Sequence, residues 1–306
     1  MLLGDLTHDQ LSSCLRGNGL RLQTGPFVFR INSPLPKVAE SLHLLYDAFP
    51  LAEPDAFADF HVRIRISSGL RRVLRPQSIF DLDGIEPFKP LPGKQAFALL
   101  EWGMNWCIYS HAHQFLIIHG AVLEKHGRAI LLPAPSGSGK STLCAALMCR
   151  GWRLLSDELI LIDPETAEIH SLCRPVSLKN RSIDVMRAFA PDALITAPIP
   201  DTSKGTVAHM RPSATSFAGI QDHALPWRVV FPRYREHSAT QISPLSRADT
   251  FMRLVDNAFN YTLLGTLGFR TLARVIDRVQ GLDAEYSALD DIIARLDALV
   301  AAEVAR

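Results

Sequence analysis

Residues 129–150 read AILLPAPSGSGKSTLCAALMCR, and this stretch decides the fold. An apolar run from Ala129 to Pro133 enters a turn rich in Gly and Ser. Leu143, Ala146 and Leu147 then recur at helical spacing. A strand, a glycine turn and a helix in that order are the frame of a phosphate-binding loop. The reason is geometric. Gly137 and Gly139 let successive backbone N–H groups converge on phosphate oxygens, and the helix start adds the positive end of its dipole. The residues expected at phosphate are Pro135, Ser136, Gly137, Ser138, Gly139, Lys140, Ser141 and Thr142. Lys140 supplies a point charge for the outer phosphates, and the Ser141 hydroxyl suits Mg²⁺. The pattern G-x-x-x-x-G-K-[ST] has Ala134 in place of its first glycine. If that position needs a positive φ, the alanine is strained by about 1 kcal/mol.

Downstream, Gly151 ends the helix and Arg153 to Ile162 forms an apolar strand interrupted by Asp157 and Glu158. The two acids lie 17 and 18 positions beyond Lys140. Neighbours on one strand point to opposite faces, so one of the two is expected to face the phosphates. That acid either binds Mg²⁺ through water or accepts the proton of an attacking hydroxyl. Upstream, Phe115 to Leu123 and a polar turn at 124–128 read as a hairpin that carries His119 to the root of the loop. A histidine in such a strand also serves simply as a packed or edge residue.

The rest of the chain gives context. Its 306 residues suit about two domains. With 47% hydrophobic and 21% charged residues, it is not a disordered chain. Lys plus Arg number 32 and Asp plus Glu 31, a net charge of +1 that gives no electrostatic reason to expect nucleic acid or an anionic membrane as partner. Five cysteines without a CxxC pair read as reduced thiols. The opening MLLGDLTHDQ has no signal-peptide pattern and no apolar run reaches the roughly 20 residues of a membrane span, so a cytoplasmic location is expected. Strands are expected at 27–31 and 61–66, the latter half-buried or at an edge. A one-faced helix follows Pro36. Arg63, Arg65, Arg71, Arg72 and Arg75 make this the most basic stretch. Pro87 to Gly93 reads as a linker, so the boundary is drawn at 92, with a module of 1–92 and a catalytic domain of 93–306. A helix over 94–109 carries Trp102 and Trp106 as packing residues. A last helix over 289–300 has Ser287 and Asp290 as a capping pair, with Asp290, Asp291 and Asp297 on a solvated face.

Residues 115–163 resemble the catalytic domain of HPr kinase/phosphorylase. The resemblance lies in His-Gly-Ala-Val at 119–122, the hairpin, APSGSGKST at 134–142 and RGWRLLSDE at 150–158. The chain is also similar to the HPr kinase-related proteins of bacteria through EWGMNW at 101–106, PVSLKN at 175–180, KGTVAH at 204–209 and residues 257–269. The resemblance implies an α/β fold: a P-loop kinase domain of the HPr kinase/phosphoenolpyruvate carboxykinase type with a smaller N-terminal α/β module. It implies ATP and Mg²⁺ as cofactors, held by Lys140 and Ser141, and transfer of phosphate to a serine hydroxyl. Asp157 would be the base and a second metal contact, with His119 and Glu158 beside it. A homo-oligomer is also implied. Glu158 stands where HPr kinase has a second Asp, and the family's Glu-Ile-Arg-Gly-Leu-Gly signature is absent after this strand. Arg174, Lys179 and Asn180 stand in its place as candidate contacts to phosphate or acceptor. The expected activity is a kinase acting on Ser or Thr of a protein or peptide. A small-molecule kinase, an ATPase and a non-catalytic ATP-binding regulator are the alternatives.

Overall fold

The computed structural model describes residues 1–67, 76–135 and 137–304. Arg71, Arg72, Arg75 and Ser136 therefore lie outside the described residues. The chain divides into two compact units. One is Met1–His111 with Leu194–Arg211, and the other is Ala112–Ala193 with Pro212–Arg306.

In the first unit five strands form one sheet in chain order: β1 (Leu20–Thr24), β2 (Phe27–Asn32), β3 (Phe60–Ile66), β4 (Gln77–Leu82) and β5 (Leu91–Pro92). Strands β2 and β3 run parallel, and the other neighbours run antiparallel. Alternation does the sorting. Phe27, Phe29 and Ile31 are buried, as are Val62 and Ile64, while His61 and Arg63 face solvent. The cation-bearing strand is thus an interior one and not an edge. Helices α1 (His8–Arg16) and α2 (Pro36–Leu45) bring Leu11, Leu15, Val38, Leu42 and Leu45 into the core. Thr7 and Gln10 cap α1 reciprocally, and Pro36 opens α2 at the position where a missing N–H costs nothing.

The structural boundary differs from the one expected at residue 92. Helix α3 (Ala96–His111) packs on β3, β4 and α2, so it belongs with the first sheet. Two later strands, β12 (Ile199–Thr202) and β13 (Gly205–Met210), also return to this unit. Arg211 ion-pairs with Asp47, His209 meets the Phe97 ring at 5.1 Å, and Lys204 sits over Trp102. These contacts draw 194–211 out of the expected catalytic domain.

The second unit is built on a mixed sheet. Its strands are β6 (Leu116–Lys125), β7 (Arg128–Pro133), β8 (Arg153–Ser156), β9 (Leu159–Ile162), β10 (Ile169–His170), β14 (Pro226–Tyr234), β15 (Gln241–Pro244) and β16 (Gln280–Tyr286). Their order is β10-β9-β6-β7-β14-β16-β15, with β8 also paired to β6. The expected hairpin is β6–β7, and β7 runs parallel to β14. Leu116, Ile118, Val122 and Leu131 enter one core with Leu254 of α7 (Arg247–Asp256) and Leu272 and Val275 of α9 (Thr266–Arg278). Period-two alternation leaves Ile117, His119 and Ala121 on the opposite face. Helix α4 (Lys140–Cys149) follows the loop and packs on β6 and β8. It also contacts α5 (Arg181–Phe189) and α10 (Leu289–Val304).

The capping pair expected for α10 does not form. Ser287 donates to the Ser238 carbonyl, and Asp290 pairs with Arg150. Nor is its acidic face simply solvated, because Asp297 accepts from both Trp152 Nε1 and Lys125 Nζ.

Candidate active site

The loop begins where β7 ends. Gly137 has φ +90° and Gly139 φ +92°, the left-handed region in which side chains are strained. Two positive-φ glycines two residues apart turn this backbone into a cradle at the start of α4. Ala134 is not among the positive-φ residues, so the missing first glycine costs this loop no backbone strain. At Gly139 a Cβ would also lie 2.8 Å from Tyr286 Oη and 2.9 Å from Tyr234 Cβ. Ser138 is tied down by its carbonyl, which accepts from Tyr234 N at 3.0 Å, while its hydroxyl is buried without a hydrogen bond.

Lys140 is only 5% exposed. Its ammonium donates to the Asp157 carbonyl and lies 3.5 Å from Asp157 Oδ1. Burial alone would lower the lysine pKa. The carboxylates of Asp157 and Glu158 outweigh it and hold Lys140 above its ordinary value. Asp157 Oδ2 accepts from Ser177 N at 3.1 Å, whereas Oδ1 is buried with no hydrogen bond of its own. Below the pair, burial and then the Asp157 charge push the Cys144 thiol up.

The two acids do not share a continuous strand. Chain pairing breaks between β8 and β9, and Asp157 and Glu158 occupy the break. The register along β6 is the same on both sides of this break, with Ser156 opposite Val122 and Leu159 opposite His119, and it shifts only earlier, where Leu154 lies opposite Leu123. The two acids differ in place: Glu158 lines a polar cleft, whereas Asp157 is buried and meets that cleft through Lys140. Glu158 Oε2 lies 3.2 Å from His119 Nε2, and Glu158 Oε1 lies 3.4 Å from Lys179 Nζ. His119, Glu158 and Lys179 line a polar cleft of about 230 Å³ together with Lys140, Ser141 and Thr142. Arg174 is buried and does not line this cleft.

Some participants carried no signal in the sequence. The Phe259 ring lies 6.0 Å from His119, and Ser177 supplies an N–H to Asp157. Asn180, by contrast a candidate contact in the sequence, takes φ +51° next to Lys179 and lines the cleft. Their positions follow from tertiary packing between distant segments.

The donor set fits a nucleotide with Mg²⁺. The glycine cradle, the lysine and the Ser138 hydroxyl suit phosphate oxygens. The Ser141 hydroxyl and the free Asp157 oxygen suit a hard cation. Among the described residues, no group of three or more His, Cys, Asp or Glu is placed to hold a metal without other ligands.

Over 70 residues the chain is 30% identical to the HPr kinase/phosphorylases of three Streptococcus thermophilus strains. The match covers 23% of this chain and 23% of each relative. The matched segment is HPr kinase-like. Residues 95–175 also match the family described as SynChlorMet cassette protein ScmC. The HPr kinase-like segment thus spans about a quarter of the length of the curated relatives it matches, 23% in each case. The solved HPr(Ser) kinase/phosphatase of Coxiella burnetii aligns over 61% of this chain and 95% of that one, at 12% identity. Its TM-score of 0.30 carries no weight for the fold.

Proposed function

We propose that this chain is an ATP- and Mg²⁺-dependent kinase that transfers the γ-phosphoryl group to a hydroxyl, on a serine or threonine of a protein or peptide. The observation that carries the reading is the buried Lys140–Asp157 pair at the mouth of a glycine cradle, with one Asp157 oxygen left without a hydrogen bond. In this arrangement the lysine neutralises the carboxylate. A triphosphate in the cradle competes for the lysine ammonium, which leaves Asp157 Oδ1 to accept a proton. The acceptor oxygen then attacks the γ-phosphorus, the bond to the β,γ-bridging oxygen breaks, and ADP leaves. The proton of the hydroxyl passes to Asp157. Mg²⁺ would be held by Ser141 and, through water, by Asp157, and would neutralise charge on the phosphate oxygens. His119, Glu158 and Lys179 form a linked row on the cleft wall that orients the acceptor. Phosphoryl transfer asks mainly for positioning and electrostatic stabilisation, and these groups offer both. The relatives' names speak of kinase and phosphorylase activities of those proteins, and they support the kinase half of this reading.

The test is ADP formation from ATP and Mg²⁺ with source-cell lysate divided by ultrafiltration. Stimulation by the protein fraction, lost in Asp157→Asn, supports the proposal. Stimulation by the small-molecule fraction alone moves the acceptor to a metabolite. No stimulation by either fraction contradicts a kinase.

A further inference from the structure

The first unit carries a charged sheet face that the proposed reaction does not use. Phe29, Ile31, Val62 and Ile64 turn to the core, and alternation sends Arg21, Arg30, His61, Arg63 and Arg65 to the opposite face. Cations on a strand commonly guard a sheet edge against pairing. That role does not apply to Arg30 and Arg63, because β2 and β3 are interior strands. The register sets Arg21 opposite Arg30, and Arg30 opposite His61. Arg21 and Arg30 are like charges directly opposite each other, a pairing that destabilises a sheet. The acids nearby are engaged elsewhere. Asp81 and Glu86 pair with Arg65, Asp83 lies 3.5 Å from His61, and Asp59 Oδ2 accepts from Val28 N at 2.7 Å. Among the described residues, Arg21, Arg30 and Arg63 have no carboxylate within ion-pair distance. Arg30 Nε donates to the Asn18 carbonyl at 2.6 Å and Arg21 Nε to the Ala56 carbonyl at 3.1 Å. Those bonds orient two guanidinium groups and leave their charge uncompensated.

A groove of about 250 Å³ opens on this face, lined by Arg30, Asn32, His61, Arg63, Asp83 and Gly84. Arg30 lies opposite His61 and Asn32 opposite Arg63, so the two arginines are diagonal neighbours across the β2–β3 ladder. With strands about 4.8 Å apart and a rise of about 3.3 Å per residue, their stems stand about 8 Å apart. Side chains i and i+2 of an extended peptide are spaced about 6.8 Å, within easy reach of both. We propose that this groove binds an acidic segment of a partner polypeptide, with carboxylates at alternate positions held by Arg30 and Arg63. A guanidinium takes a carboxylate through two parallel hydrogen bonds, which gives direction as well as charge. The acids around the groove favour the same occupant. Asp59, Asp83 and Glu86 flank the cations and repel a uniformly anionic surface, such as a duplex or an anionic bilayer. A peptide fits two acids between them. Three uncompensated cations are also few for nucleic acid, whose binding rests on many phosphate contacts.

Fluorescence anisotropy with the full chain tests this, using a labelled peptide of alternating Glu and Ala, its Lys-Ala counterpart and a labelled oligothymidylate. Cosedimentation with phosphatidylserine vesicles completes the set. The Glu-Ala peptide binds, the Lys-Ala peptide does not, and saturating ATP with Mg²⁺ leaves the binding unchanged. Raising salt from about 50 to about 200 mM weakens it, as screening of exposed charges requires. Arg30→Gln/Arg63→Gln weakens binding by about tenfold, since each exposed pair contributes up to about fivefold. Arg63→Gln alone, at an exposed side chain, weakens it by about two- to fivefold and leaves the unfolding midpoint in denaturant unchanged. Arg247→Gln/Arg270→Gln, the same change of charge in the second unit, has no effect. Absence of Glu-Ala binding, equal binding to the double variant, or a loss shared by the Arg247 and Arg270 control overturns the proposal. Displacement by ATP overturns it too, because the peptide then sits at the phosphate loop. Tighter binding of the oligothymidylate or the vesicles through the same arginines overturns the acidic peptide as occupant.

Discussion

Lys140 and Asp157 neutralise each other inside the protein, and each is costly without the other. Breaking a buried ion pair by removing one partner costs about 3–5 kcal/mol, since the remaining charge is left uncompensated. Lys140→Met is therefore expected to lower unfolding stability by about that amount in denaturant titration, and Lys140→Met/Asp157→Asn to recover part of it. Equal loss in the single and double variants would show that the pair is not coupled. The two loop glycines separate conformation from space. Gly137→Ala meets no atom within 4 Å, so only its φ of +90° is penalised, by about 1–2 kcal/mol. Gly139→Ala adds a collision with Tyr286 and Tyr234. Nucleotide affinity should fall by about tenfold in the first and clearly further in the second, by calorimetry. Lys140, Ser141 and the glycines were legible because a phosphate cradle needs those residue types in a fixed local order. The break at Asp157 and Glu158 was not, because an apolar strand pattern carries no mark of where pairing stops.

Elements read well where a single period governs them. Helix α3 and the β6–β7 hairpin lie where periodicity places them, within about two residues, as is usual at element ends. The start of α10 departs from expectation because Ser287 and Asp290 find tertiary partners, which a local capping pattern does not reveal. The turn between β9 and β10 shows local chemistry at its most explicit. Asp163 Oδ1 accepts from Glu165 N and Thr166 N, both at 2.8 Å. The Thr166 bond is the largest of the influences that hold the Asp163 carboxyl below its ordinary value. With a depressed folded-state pKa, its stabilisation is present above the unfolded value of about 3.9 and is lost as pH falls through the folded one. Asp163→Ala should thus destabilise the protein near neutrality by about 1 kcal/mol, with the difference from wild type shrinking below about pH 4. A difference that stays constant down to about pH 2 would contradict this account of the turn.

The whole chain shows two folded units and a set of thiols with no cross-links. All five cysteines are free. Cys107, Cys144 and Cys173 are buried, and burial pushes the Cys173 thiol up to about 12. A raised pKa keeps the thiol protonated at the mildly alkaline pH of alkylation, and the thiolate is the reactive form. Native alkylation at about pH 8 should therefore mark Cys14 ahead of Cys149, whose thiol burial also pushes up, with Cys144 and Cys173 marked only after denaturation. Early labelling of Cys144 would contradict the packing under the loop. At this scale the sequence was least informative. The return of 194–211 to the first unit depends on pairs such as Arg211 with Asp47, which lie 164 positions apart. No local pattern announces contacts of that separation. Among the described residues no helix is long and apolar enough to cross a membrane.

The central claim is phosphoryl transfer at Lys140 and Asp157. The most direct measurement is thiophosphate transfer from γ-thio-ATP with Mg²⁺ in source-cell lysate, with the labelled residues mapped by mass spectrometry. The account predicts label on serine or threonine that falls by about 10²–10⁴-fold in Asp157→Asn, the usual contribution of a general base. It predicts that the label disappears in Lys140→Ala. Nucleotide that binds through Lys140 with no label above either variant would contradict it.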